Sequence, residues 1–170
     1  VPPKVNVVHV HTAQEMLAAA EAALPADIAV FAAAVADWRV ANTHGEKIKK
    51  TGKGASPTLT LVENTDILAT IARHTTNRPT LVIGFAAETE NVLAHAQQKL
   101  ANKGCDWIVA NDVSAEKGVM GGADNEIHLV TATGIENWPL MQKEAVAEKL
   151  IPRAAIQFQI MITNAFKAAQ

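Results

Sequence analysis

The chain predicts an α/β fold: an open, mainly parallel sheet with helices on both faces and an appended antiparallel hairpin. Three observations carry this. Short runs rich in valine and isoleucine alternate with alanine-rich stretches of helical character. The apolar runs at residues 28–34 and 80–85 are continuous rather than alternating, as in strands covered on both sides. The segments between such runs are long enough for the crossovers that parallel strands need.

Taken in order, Val1-Pro2-Pro3 reads as an extended linker remnant entering a valine-rich strand at 4–10. Thr12 and Glu15 fit a capping box, and the helix through Met16, Leu17, Ala20 and Leu24 stops before Pro25. Residues 28–34 form a buried central strand, followed by a loop over 37–54 and a weak strand at 58–62. Asn64 or Thr65 can cap a helix through Ile67, Leu68 and Ile71 that ends before Arg78-Pro79. A buried strand at 80–85 precedes a helix at 89–103, closed by Gly104. Strands at 106–110 and 126–130 follow, with a hairpin over 123–136, and a last helix begins at 143–151. Residues 154–170 carry apolar residues without a clean period, and no element is assigned to them. The whole, 1–170, is read as one Rossmann-like domain.

Composition excludes several classes. A net charge of −2 leaves no bulk electrostatic basis for binding nucleic acid. Cys105 is the single cysteine, so no intrachain disulfide can form and a reducing, cytoplasmic setting is expected. No apolar run approaches the roughly 20 residues of a membrane helix, so no membrane partner is expected. The first residues lack a signal-peptide layout.

In open parallel sheets ligands bind at the carboxyl ends of the strands. The predicted ends are His9 to His11, Ala34 to Asp37, Gly84 to Glu88, and Ala110 to Asp112. His9 and His11 share a strand face, as zinc ligands can, but no other strand end offers a histidine. Ala33 and Ala34 let a ligand lie against the backbone, or simply let helices pack on the sheet. Phe85 can stack on a planar base or serve the core. Asp37 is costly to bury unpaired, which favours a ligand-facing place.

Anion-binding candidates come next. The helix start at Thr65, Asp66, Ile67 and Leu68 presents free N–H groups, although Asp66 also suits the helix dipole. Lys99 and Lys103 share a helix face. Lys47, Lys49, Lys50 and Lys53 crowd one loop, which is either a solvated coil or an anion clamp. No G-x-G-x-x-G follows a strand, which removes the main support for a dinucleotide reductase.

The ordered set AAAVADWRV, EKIKK, N-x-D-I-L-A, G-F-A-A-E-T, Lys99 with Lys103, and A-N-D-V-S resembles phosphopantothenoylcysteine synthetase. This is the phosphopantothenate–cysteine ligase of coenzyme A biosynthesis, in its bacterial, CTP-using form. The likeness spans residues 5–150. It implies CTP-dependent ligation of 4'-phosphopantothenate with cysteine through an acyl-cytidylate, with Mg2+ and a homodimer. It further implies nucleotide contacts from Ala33, Asp37, Lys47, Thr65, Asp66, Ile67, Leu68, Phe85, Lys99 and Lys103. Ala34 would touch substrate, and Lys47 would also act in catalysis. No residue is implied as a metal ligand. FMN belongs to the decarboxylase domain commonly fused ahead of the synthetase, not to this chain.

The family's glycine-rich opening and N-x-S-S-G motif are missing, and relatives commonly have proline where Thr65 stands. The expectation is therefore a chain that binds CTP but is incomplete for turnover. The alternative is a non-catalytic dimerisation module with a vestigial nucleotide site.

Overall fold

The computed structural model describes residues 3–42, 58–113 and 124–170. In chain order these form α1 (Ala13–Ala22), β1 (Ile28–Phe31), β2 (Trp38–Val40), β3 (Leu61–Glu63) and α2 (Ile67–Ala72). Then come β4 (Leu81–Glu88), α3 (Val92–Lys103), β5 (Trp107–Asp112), β6 (Asp124–Thr131), β7 (Gly134–Gln142) and α4 (Lys143–Ala168). The main sheet has the order β1-β4-β5-β6-β7. β1, β4 and β5 run parallel, and β6 and β7 return as an antiparallel hairpin on the β5 edge. This is the expected architecture.

Two apolar layers hold it, and β4 shows why. Strand side chains alternate between faces. Leu81 and Ile83 join Trp107, Val109, Leu129 and Trp138 on one face, under Val146, Leu150 and Ala154 of α4. Those α4 residues recur every four positions, so they form one stripe. Val82 and Ala86 point the other way, with Ile108, Ala110, Ala72 of α2 and Ala96 of α3. Helices cover both faces, and the small residues on α2 and α3 let those helices come close.

Local chemistry fixes the ends. Thr12 caps α1 in a full capping box: its hydroxyl accepts from Glu15 N–H, and the Glu15 carboxylate accepts from Thr12 N–H. The backbone N–H groups of His11 and Thr12, in that order, hold the Glu15 carboxyl below its usual range. Gly104 closes α3 at φ 72, where a side chain would be strained.

Several expectations need correction. Residues 4–10 form no strand. Val5, Val7 and Val8 are about half exposed or more, because β-propensity makes no strand without a ladder partner. β1 is the outermost strand of the sheet rather than a central one, and Val30 is 52 % exposed. Asp66, not Asn64 or Thr65, caps α2, accepting from Ala69 N–H at 2.9 Å. The loop expected from residue 37 begins with β2, which pairs antiparallel with β3 as a separate ribbon. β4 extends to Glu88, and α3 starts only at Val92, after Asn91 turns left-handed. Residues 154–168 continue α4 through Pro152, where the ring removes one N–H from the helical ladder.

Candidate functional site

β1 ends at Phe31, and the chain beyond it forms one wall of a pocket of about 330 Å³. Ala33, Ala34 and Asp37 come from this exit segment, and Thr65, Asp66, Ile67 and Leu68 from the start of α2. Phe85 comes from β4, and Lys99 and Lys103 from α3. One cavity thus gathers ten of the sequence-selected positions from four separate stretches. Lys47, with Lys49, Lys50 and Lys53, lies outside the described residues.

What brings the β1 exit against α2 is Asn64, a candidate cap and the first residue of the N-x-D-I-L-A stretch, to which the sequence assigns no bridging role. Its backbone N–H donates to Asp37 O at 2.7 Å, and its side-chain amide donates to Ala36 O at 2.8 Å. Arg39 donates to Glu63 O at 2.6 Å and to the Asn64 side-chain oxygen at 3.3 Å, tying in the β2–β3 ribbon. Two strands and a helix start are thereby stitched across the mouth of the pocket. The signal was present as the asparagine that opens the N-x-D-I-L-A stretch, between a short strand and a helix.

Gly84 sets the depth. A Cβ there would lie 2.5 Å from a Leu68 methyl and 3.0 Å from an Ile108 methyl. Its hydrogen lets α2 sit directly over β4, which places Leu68 and the first turn of α2 in the cavity.

The charges are balanced by pairing. Lys103 meets Asp66 Oδ2, while Asp66 Oδ1 caps the helix. Burial pushes the Asp66 carboxyl up, but the Ala69 N–H, Lys103 and Arg73 together outweigh it and hold the group below its usual range. Lys99 Nζ stands 2.7 Å from Glu88 Oε1. The described lining carries two lysines against the three carboxylates of Asp37, Glu63 and Asp66. A polyanion entering it needs further cationic charge.

The remaining strand-end candidates go elsewhere. His9 and His11 are exposed on the segment before α1. Among the described residues no three His, Cys, Asp or Glu side chains gather to hold a metal. Asn111 lines a second, larger groove of about 740 Å³ between Ile28, Val30 and Ala32 and the α4 residues Val146, Leu150 and Ile151. Among the described residues that groove is almost wholly apolar, with Lys143 as its one charged wall residue, and offers no charge pattern for a nucleotide.

Sheet order and pocket define an α/β domain with a mixed, mainly parallel sheet and a charged cleft where the first strand ends. The family model for the DNA/pantothenate metabolism flavoprotein C-terminal domain matches residues 1–157, and the chain belongs to that family. The coenzyme A biosynthesis bifunctional protein CoaBC of Vibrio vulnificus strain YJ016 is 41% identical over 151 residues, 88% of this chain and 37% of the relative. That of Escherichia coli K12 is 40% identical over 159 residues, covering 92% of this chain and 39% of the relative. The chain thus spans under two fifths of these curated relatives. The crystal structure of the C-terminal domain of CoaBC superposes with a TM-score of 0.71 at 30% identity, covering 93% of this chain and 68% of that one. Among the described residues no helix is long and apolar enough to cross a membrane.

Proposed function

We propose that this chain carries the CTP-binding part of a phosphopantothenate–cysteine ligase acting in coenzyme A biosynthesis. The observation that carries the reading is the single cleft that collects small residues, a carboxylate and two lysines from the motifs shared with that enzyme class. Membership of the family, through relatives named for coenzyme A biosynthesis, supports it.

In this reading Ala33 and Ala34 give the ligand access to backbone and Asp37 serves the base, while Phe85 borders the cleft from β4 with its side chain packed against the α4-side core. The first N–H groups of α2, which have no intrahelical partner, join Lys99 and Lys103 at the phosphates. α2 has only six residues, so its dipole is small and the lysines carry most of the charge. Magnesium enters as the counterion of the triphosphate rather than as a metal caged by protein. The excess of carboxylates over lysines in the described lining is why such a counterion, and Lys47 with it, is needed.

The reaction has two steps. The carboxylate of 4'-phosphopantothenate attacks the α-phosphate of CTP, forming an acyl-cytidylate and releasing pyrophosphate. The cysteine amine then attacks the acyl carbon and CMP leaves as the amide forms. The chain's contribution is positioning and charge stabilisation. The protein works in the cytoplasm as a homodimer, alongside a fused decarboxylase domain that holds FMN.

Titration calorimetry with CTP and magnesium tests this. The chain binds CTP, and Lys103→Gln and Lys47→Gln each weaken binding about tenfold, near 1.4 kcal/mol. Absence of heat at millimolar CTP, or variants that bind as the parent does, overturns the reading.

A further inference from the structure

We propose that Glu88 is a positioning residue whose carboxylate holds the Lys99 ammonium at the pocket wall, ready for a polyphosphate. The inference rests on the nucleotide reading of the cleft. Glu88 is the last residue of β4, aligned with Asp112 of β5, and its carbonyl accepts from Val113 N–H at 2.8 Å. Its backbone is therefore fixed by the sheet. Its side chain is only 13 % exposed and stands behind Lys99 rather than on the pocket wall.

α3 grips this carboxylate with two residues one turn apart. Lys99 Nζ lies 2.7 Å from Oε1, and His95 Nδ1 lies 3.3 Å from Oε2. The two oxygens are thus divided between two side chains, and the carboxylate has one orientation. The lysine contact is ionic rather than an aligned hydrogen bond, since the buried Oε1 receives no well-directed donor. The ammonium carries three N–H groups, so it can meet a ligand with those not turned to Glu88 while the ion pair sets its position.

Lys99 is 42 % exposed and reaches the pocket along a flexible four-carbon stem. A free lysine gives up rotamer freedom on gripping a phosphate. Glu88 moves that loss into folding, so the bound state forms from a preset cation. Neither the sheet alignment nor the core needs a carboxylate at this point: Ala86, two residues earlier on the same strand face, already fills the core there, and Ala87 between them is exposed. A largely covered acid here is explained by the lysine it holds.

The test uses the whole chain, with inorganic triphosphate and CTP, each with magnesium, as probes in calorimetry. Glu88→Gln weakens triphosphate binding about fivefold, Lys99→Gln about tenfold, and the double variant no more than Lys99→Gln alone, because the two act through one ammonium. Glu88→Asp keeps the charge but withdraws the oxygens, and it weakens binding as well. In a ¹H–¹⁵N correlation of lysine ammonium groups, Glu88→Gln loses or shifts the Lys99 signal and leaves Lys103 in place. Unchanged or tighter binding in Glu88→Gln, additive losses in the double variant, or an unmoved Lys99 signal overturns the role. A parent chain that binds neither probe while its Lys99 signal responds to Glu88→Gln overturns the nucleotide reading instead, and the role in binding with it.

Discussion

Cys105 lies directly after Gly104, at the turn that closes α3, with Asp106 and Arg78 beside it. Burial pushes its thiol up to about 11, against a reference value of 9.0. The folded state thus favours the neutral thiol. That contribution to stability is complete below pH 9 and disappears as pH rises toward 11. Iodoacetamide at pH 8 leaves Cys105 unmodified in the folded chain and alkylates it in denaturant, read by intact mass; labelling of the folded chain at the unfolded rate would contradict the burial. Residue types were well legible at this scale. Asp37, Phe85, Lys99 and Lys103 stood out as groups with a chemical use, and all line the cleft. Partners were not legible. Nothing in the spacing of Glu88 and Lys99, or of Asp66 and Lys103, revealed that each lysine reaches across to a carboxylate on another element.

Helices and strands were found where a local signal existed. The Thr12 capping box and the Gly104 stop are chemical marks that a sequence displays openly, and α1 and α3 obey them. β2 was missed because three residues, Trp38 to Val40, give no period to count, and they become a strand only by pairing with β3. The stretch at 4–10 failed the opposite way: it has strand composition and no ladder partner. The close fit of α2 over β4 at Gly84 was also invisible, since it depends on which side chain crosses that point. Gly84→Ala forces Leu68 aside, and overpacking of this kind costs about 1–3 kcal/mol. Because Leu68 also lines the cleft, this variant melts at a lower temperature and binds CTP more weakly. A normal melt with normal affinity would show that Leu68 yields freely.

Across the described residues, exposed apolar side chains occur on the segment before α1, the β2–β3 ribbon, β7 and α3, and one group of them lies on β1 and α4. Val30 on the outermost strand and Ile151 on α4 flank one groove, and Ile156, Ile160, Ile162 and Phe166 continue along the same helix. Exposed apolar surface on this scale promotes association. Sedimentation velocity at micromolar and tenfold higher concentrations shows a shift from monomer toward dimer, and Ile151→Glu with Ile160→Glu reverses it. A chain that stays monomeric throughout would count against the homodimer. The parallel sheet, its hairpin and the helices on both faces were legible because periodicity and crossover length are global properties. The position of β1 at the sheet margin was not, because a continuous apolar run looks the same whether one or two neighbours flank it.

Arg78 gathers the opposite side of the architecture. Its guanidinium donates to Ala72 O, Pro79 O and Gly104 O and pairs with Asp106, whose carboxylate also accepts from Val82 N–H. The close of α2, the close of α3 and the starts of β4 and β5 therefore meet at one side chain. The Asn64 stitch and the Glu88 grip lie near the other ends of these elements. Such a division makes the domain modular in an engineering sense. The segments around the cleft can be exchanged to retune what the cleft accepts, while one arginine keeps the chassis in register.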